Sequence, residues 1–318
     1  MKTMRRKHQE YKYLFGPVPS RRLGVSLGVD LMPHKTCSLD CVYCECGKTT
    51  CLTLQRDEYT SVDGIKKELD CFLSSDPALD HITFSGSGEP LLHSRIREIV
   101  YFIKNEFPQY KLALLTNGTM LSNPEVREDI VDIDIVKVSV DTISEDIFVK
   151  LNRPHSDLNV KTVIDGLISF KKILKKQLWI EFFLVPGIND GENEIKSIDE
   201  VLKSIHPDSI HVNTLDRPGA EKWVQAADKE KLKKVAASLG DVGIIGQKEI
   251  CSAEKKDNGN FHQHLLSTIK RRPCTADDVS KILGTRFSET KRHLDILSKK
   301  GKIEKQEMPR GVFYMMKS

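Results

Sequence analysis

The sequence lacks the segments that direct a protein into a membrane or out of the cell. Its first residues, MKTMRRKHQEYKY, are charged and have no apolar core, which excludes a signal peptide. Residues 179–188 form the most apolar stretch, and they are too few and too interrupted to span a bilayer. The composition, with 39% hydrophobic and 30% charged residues, is ordinary for a globular protein. We therefore expect a cytoplasmic protein that has no membrane partner.

Cysteine is not scarce, and its distribution is uneven. Eight cysteines in a cytoplasmic chain indicate metal binding rather than disulfide bonds. Three stand alone in the sequence and are expected to be buried thiols without a chemical role: Cys71, Cys251 and Cys274. Three others lie within eight residues, in the run CSLDCVYC, as Cys37, Cys41 and Cys44. Their spacing is C-x₃-C-x₂-C, and no fourth cysteine falls in register.

The absence of a fourth cysteine in register helps to distinguish between two kinds of metal site. A structural zinc ion takes four protein ligands and is then closed. A [4Fe–4S] cluster takes up to four thiolates, one per iron, so three cysteines leave one iron open to bind a substrate. The run therefore predicts an iron–sulfur cluster with an open iron. A zinc site completed by Cys46 or Cys51 is the alternative.

Short β-rich apolar runs alternate with amphipathic stretches along most of the chain. The runs are residues 26–31, 81–84, 111–115, 136–140, 179–184 and 209–212. The helical stretches are residues 61–73, 94–105, 161–175 and 195–205. This alternation predicts an α/β fold with a parallel sheet. Six strands favour a partial (β/α)₆ TIM-like barrel, with an open doubly wound sheet as the alternative; in both, sites form at the carboxyl ends of the strands.

The cysteine run, with Tyr43 before its third cysteine, resembles the cluster loop of the radical S-adenosylmethionine (radical SAM) superfamily, C-x₃-C-x-aromatic-C. The resemblance implies that Cys37, Cys41 and Cys44 ligate a [4Fe–4S] cluster whose open iron binds S-adenosylmethionine (SAM). An electron from the cluster would then cleave SAM to methionine and a 5′-deoxyadenosyl radical. The resemblance also implies an electron donor such as ferredoxin or flavodoxin.

Polar residues follow the predicted strands where this resemblance places SAM. The run SGSGEP, with Ser87, Gly88 and Glu89, is similar to the superfamily's G-G-E-P motif, which holds the SAM amino group. Ser87 departs from the first glycine of that motif. Ser139 and Asp141 end the fourth strand on one face, which fits hydrogen bonds to a ribose diol. A helix cap is the alternative for Asp141.

The resemblance assigns three further residues to SAM, and each has a structural alternative. Asn117 would face the ligand after the third strand, or form a simple turn. Arg153 would grip the SAM carboxylate, or lie on the surface at a helix end. Asn189, in the run GIND, would reach the ribose, or act as a turn residue. Candidates for the substrate end of the barrel, with a structural role as the alternative, are His211, Asn213 and Asp216.

The C-terminal part differs from the rest in composition and charge. A polar stretch at 254–260 predicts a linker between domains at 1–253 and 261–318. Residues 261–318 contain thirteen Lys and Arg against six Asp and Glu, a net charge of +7, so the first 260 residues carry −3. Three helical patterns, at 261–270, 276–283 and 288–299, and β-like runs at 302–306 and 312–316 predict a winged helix-turn-helix. Candidates for phosphate contacts, with protein docking as the alternative, are Lys291, Arg292, Lys299 and Arg310.

The segment before the cysteines, FGPVPSRRLGVSLGVD at 15–30, resembles radical SAM proteins related to the wyosine-synthesis enzymes of tRNA. That resemblance and the basic C-terminal part favour a macromolecular substrate, with RNA, and tRNA in particular, as the class. One alternative is radical modification of a protein or peptide. Another is a non-enzymatic, DNA-binding iron–sulfur sensor that does not cleave SAM.

Overall fold

A computed structural model describes residues 11–20, 22–240, 242–245 and 261–317 of the chain. The linker expected at 254–260 and Cys251 lie outside these ranges. Within them, no helix is both long enough and apolar enough to cross a membrane.

The secondary structure of the described residues alternates between strands and helices as far as residue 245. The strands are β1 (Leu14–Ser20), β2 (Gly24–Val29), β3 (Thr36–Cys37), β4 (Cys51–Leu52), β5 (His81–Phe84), β6 (Lys111–Thr116), β7 (Ile135–Ser139), β8 (Gln177–Phe183), β9 (Ser209–Asn213), β10 (Gly243–Ile244), β11 (Cys274–Thr275), β12 (Ile303–Met308) and β13 (Gly311–Met316). The helices are α1 (Val62–Leu73), α2 (Ile96–Glu106), α3 (Pro124–Asp129), α4 (Glu145–Asn152), α5 (Val160–Ile173), α6 (Glu192–Ile205), α7 (Lys229–Ser238), α8 (Phe261–Arg271), α9 (Ala276–Leu283) and α10 (Phe287–Lys299).

One sheet runs in the order β1-β2-β5-β6-β7-β8-β9-β10, and only its β1–β2 pair is antiparallel. The six predicted strands are β2 and β5 to β9, and they lie side by side in chain order. A doubly wound sheet reverses its strand order near the middle. Consecutive right-handed crossovers instead place the helices on one face and curl the sheet. The sheet is therefore a partial barrel, and the doubly wound alternative is wrong. The sequence patterns did not predict β1 or β10 at its edges.

The two faces of the sheet differ in polarity. Outward side chains of the parallel strands are buried and apolar beneath the helices: Leu27, Val29, Ile82, Phe84, Leu112, Leu114, Val136, Val138, Ile180, Phe182 and Val212. Because strand side chains alternate, the residues between them face the barrel interior. Those residues include Ser26, Thr83, Lys137, Glu181 and His211. The apolar face fixes the sheet, and the polar face lines the barrel.

Each helix buries one stripe against the outer face. The Ser61 side chain accepts a hydrogen bond from Gly64 N at 3.1 Å and caps α1. The buried residues of α1 recur every three or four positions: Val62, Ile65, Leu69 and Leu73. Cys71 lies off that stripe and is exposed, which corrects its prediction as a buried thiol; Cys274 is buried as predicted. The helices α3, α4 and α7 were not predicted.

The C-terminal unit, residues 261–317, has a small core of its own. Its helices α8, α9 and α10 pack with a three-stranded antiparallel sheet in the order β11-β13-β12. The buried core includes Leu265, Ile269, Val279, Leu294 and Tyr314. These helices and the β12–β13 hairpin lie where the sequence predicted them, whereas β11 was not predicted.

Candidate active site

The three clustered cysteines lie on the long loop between β2 and α1, which we call the cluster loop. On the β5 side, Lys35 N donates a hydrogen bond to Ser87 O at 2.7 Å. On the α4 side, Val42 N donates to Leu151 O at 3.0 Å. These bonds fix the loop across the carboxyl ends of the parallel strands, where sites form in this architecture.

Each of the three thiols receives a hydrogen bond from a different part of the chain. The contacts are Lys35 Nζ to Cys44 Sγ at 3.0 Å, Asn152 Nδ2 to Cys41 Sγ at 3.4 Å and Asn117 Nδ2 to Cys37 Sγ at 3.6 Å. N–H donors around a sulfur stabilise the thiolate form and tune a bound metal. The surroundings of all three sulfurs therefore suit thiolate ligands.

The thiols differ in pKa because their surroundings differ. Burial raises the pKa of Cys37 to about 12 and also raises the pKa of Cys41. A hydrogen bond from Cys46 and the charge of Lys35 lower the pKa of Cys44 to about 5. Buried thiolates are costly unless a cation compensates them. A bound metal centre supplies that compensation and deprotonates its thiol ligands.

The donor set fits a cluster better than a closed zinc site. No group of three or more Cys, His, Asp or Glu among the described residues converges on a single metal ion. A [4Fe–4S] cluster binds each thiolate through a different iron, so its ligands surround the cluster rather than one ion. Cys46 lies beside Cys44, and its sulfur is also 3.3 Å from Arg271 O of the C-terminal unit. Cys51 is exposed on β4.

The turn after β5, residues 85–90, packs its backbone against the cluster loop. A Cβ atom on Gly88 would lie 2.0 Å from the carbonyl oxygen of Thr36, so only glycine fits there. Ser87 stands at the first glycine of the family motif. Its N and Oγ donate to the Asp30 carboxylate at 3.2 and 2.8 Å. The serine therefore adds two hydrogen bonds to the turn instead of obstructing it.

Glu89 connects the turns after β5 and β6. Its carboxylate accepts hydrogen bonds from Thr116 Oγ1 at 2.5 Å and from Asn117 N at 2.8 Å. Burial raises the pKa of Glu89 to about 7. Asn117 also donates to Ser38 Oγ at 3.0 Å. The structure therefore brings Glu89 and Asn117 together beside Cys37.

Asp141 is the centre of a network after β7 and is buried. Its carboxylate accepts hydrogen bonds from Tyr43 Oη, from Asn152 Nδ2 at 2.8 Å and from Phe183 N at 3.1 Å. The rings of Tyr43 and Phe183 stack with centroids 3.9 Å apart. The N-cap position of α4 is Ser144. Asp141 therefore orders the cluster loop and does not cap the helix.

A cavity of about 60 Å³ lies among these strand ends. Its polar lining includes Tyr43, Asn117, Ser139, Asp141 and Asn152. Three of the predicted ligand residues, at 117, 139 and 141, thus share one space beside the cysteines. A cofactor-sized ligand needs several times this volume.

Two predicted ligand residues are engaged elsewhere. Arg153 ends α4 in the left-handed region, is partly exposed, and donates to Glu221 Oε1 at 2.7 Å. Asn189 is fully buried, donating to Asp141 O and accepting from Val185 N, both at 2.8 Å. These bonds match the structural alternative for each residue, and their roles toward SAM stay predictions.

The three candidates for the substrate end of the barrel, in and after β9, lie in different surroundings. His211 lies beside Trp179 in the barrel interior, with ring centroids 5.4 Å apart. Asn213 is buried. Asp216, three residues after β9, pairs with Arg310 Nε of the C-terminal unit at 3.1 Å. Arg310, predicted to contact phosphates, is therefore an interface residue.

Four residues that orient the cluster loop escaped the sequence analysis: Asp30, Lys35, Ser38 and Asn152. Asp30 directly follows β2, a strand end where function is expected, and Lys35 lies two residues before the first cysteine. Both positions could therefore have been recognised from the sequence as candidate site residues. Asn152 is 111 residues from Cys41 along the chain, and only the fold brings the two together.

The chain is similar to known proteins across the region that carries the cluster loop. The model of the radical SAM superfamily matches residues 31–197, just over half of the chain. The UPF0026 protein MJ1312 of Methanocaldococcus jannaschii is 32% identical over 313 residues, which cover 95% of each chain. A protein named GTPase Obg, of Brachyspira hyodysenteriae, is 32% identical over 305 residues. That match covers 95% of this chain but 44% of the relative, so the chain spans less than half of that protein.

A solved structure, TYW1 with a lysine-pyruvate adduct bound, has the same fold with a TM-score of 0.50 at 16% identity. The match covers 75% of this chain and 79% of that one. The family match spans the cluster loop and the turns after β5, β6 and β7. The chain therefore belongs to the radical SAM superfamily and is an enzyme that uses a [4Fe–4S] cluster and SAM.

Proposed function

We propose that this enzyme cleaves SAM reductively to modify an RNA, with tRNA the favoured class. In this proposal Cys37, Cys41 and Cys44 hold the cluster, which supplies the electron for cleavage. The residues proposed to hold SAM are Ser87, Gly88, Glu89, Asn117, Ser139 and Asp141. Arg153 and Asn189 would contribute only after giving up their present hydrogen bonds. The SAM site is supported by the position of Asn117, Ser139 and Asp141 together at the carboxyl ends of the strands, with Asn117 in contact with Cys37.

We also propose that the C-terminal unit is a winged helix-turn-helix that docks the RNA, and the exposed basic face of α10 is the observation that carries this. Support for the winged helix comes from three helices packed with a three-stranded antiparallel sheet, and from the tight turn at Gly284 between α9 and α10. On α10, exposed Lys291, Arg292 and Lys299 line a groove of about 450 Å³. Cations spaced along an exposed helix suit a phosphate backbone.

The test of docking is the salt dependence of tRNA binding. The variant Lys291→Ala/Arg292→Ala/Lys299→Ala should bind bulk tRNA more weakly than wild type and lower the slope of log K against log salt by about 2–3, because each lost phosphate contact removes about 0.7–0.9 from it. The matched control removes three exposed lysines on or next to the barrel helices α5 and α6, as Lys172→Ala/Lys175→Ala/Lys196→Ala, and should change neither quantity. Wild-type protein without salt-dependent binding to RNA would contradict the proposal.

The test of chemistry is the formation of 5′-deoxyadenosine. Anaerobically reconstituted protein with dithionite should release it slowly from SAM alone, and faster when unmodified tRNA is added. Absence of deoxyadenosine with several reductants would favour the sensor alternative. Formation that RNA does not accelerate would point to another substrate class.

A protein or peptide substrate is the second candidate, because α10 also exposes apolar side chains. Phe287 is 51% exposed and Ile296 is 40% exposed, and both line the groove with the basic residues. Apolar groups on a helix face suit a protein partner. Replacing Phe287 by Ala should leave tRNA binding largely intact if phosphates dominate, and should abolish docking if a peptide binds there.

The proposed setting is the cytoplasm, with ferredoxin or flavodoxin as the electron donor. All seven cysteines within the described residues are free thiols, which suits a reducing compartment. Reduction of the reconstituted cluster by each donor, followed by electron paramagnetic resonance, tests the pairing.

A further inference from the structure

The C-terminal unit packs against the cluster loop and the barrel edge at once. Met308 of β12 packs on an apolar cluster that includes Val42 and Leu215. At the end of α8, the Arg271 guanidinium lies over the ring of Phe15 in β1, 4.9 Å from its centroid. The unit therefore covers both the loop that carries the cysteines and the first strand.

A buried ion network holds this contact together. Arg217, in the loop after β9, is only 4% exposed. Its Nη1 donates to Pro273 O at 2.7 Å and to Asp278 Oδ2 at 3.0 Å. Asp278 is 6% exposed and also accepts two hydrogen bonds from Arg310, at 2.8 and 3.0 Å. Asp216 pairs with Arg310 at 3.1 Å, so two arginines and two aspartates balance one another across the interface.

Arg217 also contacts a residue that follows the third cysteine of the cluster loop. Its Nε lies 3.5 Å from Oε2 of Glu45, the residue after Cys44. The sulfur of the next residue, Cys46, lies 3.3 Å from Arg271 O and 3.6 Å from Gly86 O. The end of the cysteine run is thus held between the turn after β5 and the C-terminal unit.

We infer that Arg217 is a positioning residue that locks the C-terminal unit over the cluster loop as a fixed cap. The cap holds Glu45 and Cys46 in place and keeps water and dissolved oxygen away from the Cys44 side of the cluster. Removing one partner of a buried ion pair leaves an uncompensated buried charge, so the interface opens without Arg217. This role does not depend on what α10 docks.

The test uses full-length protein reconstituted without oxygen. Arg217→Gln should load the same amount of iron, but its cluster absorbance should bleach in air about tenfold faster or more, because the loss of a buried pair strongly favours the open state. Hydrogen exchange of residues 40–48 should also accelerate. The control is Lys305→Gln, which removes a partly exposed ion pair with Asp295 in the same unit. It should change neither quantity.

A second variant removes the arginine that the C-terminal unit contributes to the ion network. Arg310→Gln should accelerate bleaching and exchange in the same direction while leaving the salt slope of tRNA binding unchanged, which separates this inference from the proposed docking. Should Arg217→Gln fail to fold, Arg310→Gln and Asp216→Asn provide the result, since both side chains are partly exposed. Bleaching at the wild-type rate in these variants would overturn the inference. Faster exchange confined to 261–317, with 40–48 unchanged, would overturn it too.

Discussion

At the scale of the residue, the cluster loop depends on three polar side chains, two of which belong to distant elements. Asn117 follows β6, Asn152 ends α4 and Lys35 lies on the loop itself, and each donates to a different cysteine sulfur. Such outer contacts orient ligands and tune the metal they bind. The three thiols therefore have different surroundings, because each sulfur has its own hydrogen-bond donor.

Replacing Cys37, Cys41 or Cys44 by Ala removes one cluster ligand. We expect each variant to lose most of the roughly four irons per chain that reconstituted wild type holds. Iron and sulfide analysis measures this loss. Cys71→Ala is the control, because Cys71 is exposed on α1 and should leave the iron content unchanged. One tightly bound zinc with no iron in wild type would contradict the cluster.

His211 gives the barrel a pH-dependent contribution to stability. Burial, with the charges of Arg22 and Lys137, lowers its pKa to about 4 from the ordinary 6.5. Because the folded pKa is the lower one, the unfolded state binds more protons between these values. The free energy of unfolding should therefore fall as the pH falls from about 6.5 to about 4.

The variant His211→Gln should lose part of this dependence. Urea unfolding at about pH 5 and about pH 7.5 measures it, and the difference between the two should be smaller in the variant than in wild type. His155→Gln, in a partly exposed turn after α4 and outside the barrel interior, is the control for a histidine replacement elsewhere in the chain. An equal pH dependence in all three proteins would show that His211 titrates normally.

At the scale of the element, the turns after β5, β6 and β7 do more than connect strands to helices. Glu89 joins the first two turns by hydrogen bonds to Thr116 and Asn117. Asp141 joins the third turn to the cluster loop through Tyr43. The turns and the loop therefore form one hydrogen-bonded layer above the barrel.

The close contact between Gly88, in the turn after β5, and the Thr36 carbonyl predicts what an added methyl group at Gly88 would do. Gly88→Ala would place its Cβ against the Thr36 carbonyl, which is backbone and cannot rotate away. We expect a loss of about 1–3 kcal/mol in the free energy of unfolding of the apoprotein, the usual cost of overpacking. Iron loading should fall as well, since Thr36 directly precedes Cys37.

Urea unfolding and iron analysis measure these two effects. Gly191→Ala is the control, because a Cβ there meets no atom within 4 Å and its φ is an ordinary −67°. Equal stability of the two variants would show that the cluster loop moves away at little cost.

At the scale of the whole molecule, the C-terminal unit completes the barrel. It has a core of its own, yet it also buries Arg217 and covers the apolar cluster around Val42. The sequence predicts a separate domain at 261–318, because its composition and charge differ from the rest. The buried contacts tie the stability of the barrel to this unit.

Ending the chain after Ile245 should therefore destabilise the barrel. The truncated apoprotein should have a Tm lower by about 5 °C or more, at roughly 2–4 °C per kcal/mol for a domain of this size. It should also bind a hydrophobic dye through the uncovered apolar cluster. Calorimetry and dye fluorescence measure these effects. A Tm equal to that of the full chain would show that the interface contributes nothing.

The sequence by itself determined the features that depend on neighbours along the chain. Six parallel strands follow from apolar runs, and the cluster follows from three cysteines in eight residues, because both patterns are local. It also placed Asn117, Ser139 and Asp141 at strand ends, because those ends can be located from the apolar runs that precede them.

Only the tertiary structure decided which polar groups meet. In the folded chain Asn189 hydrogen-bonds within a turn, and Arg153 pairs with Glu221. Arg310 pairs with Asp278. Each side chain meets a complementary group that folding has brought near it. Folding also brought Asn152 to Cys41 and Arg217 to the C-terminal unit. Hydrogen bonds and ion pairs act over a few ångströms, and residues far apart in sequence reach that distance only when the sheet and its helices have packed.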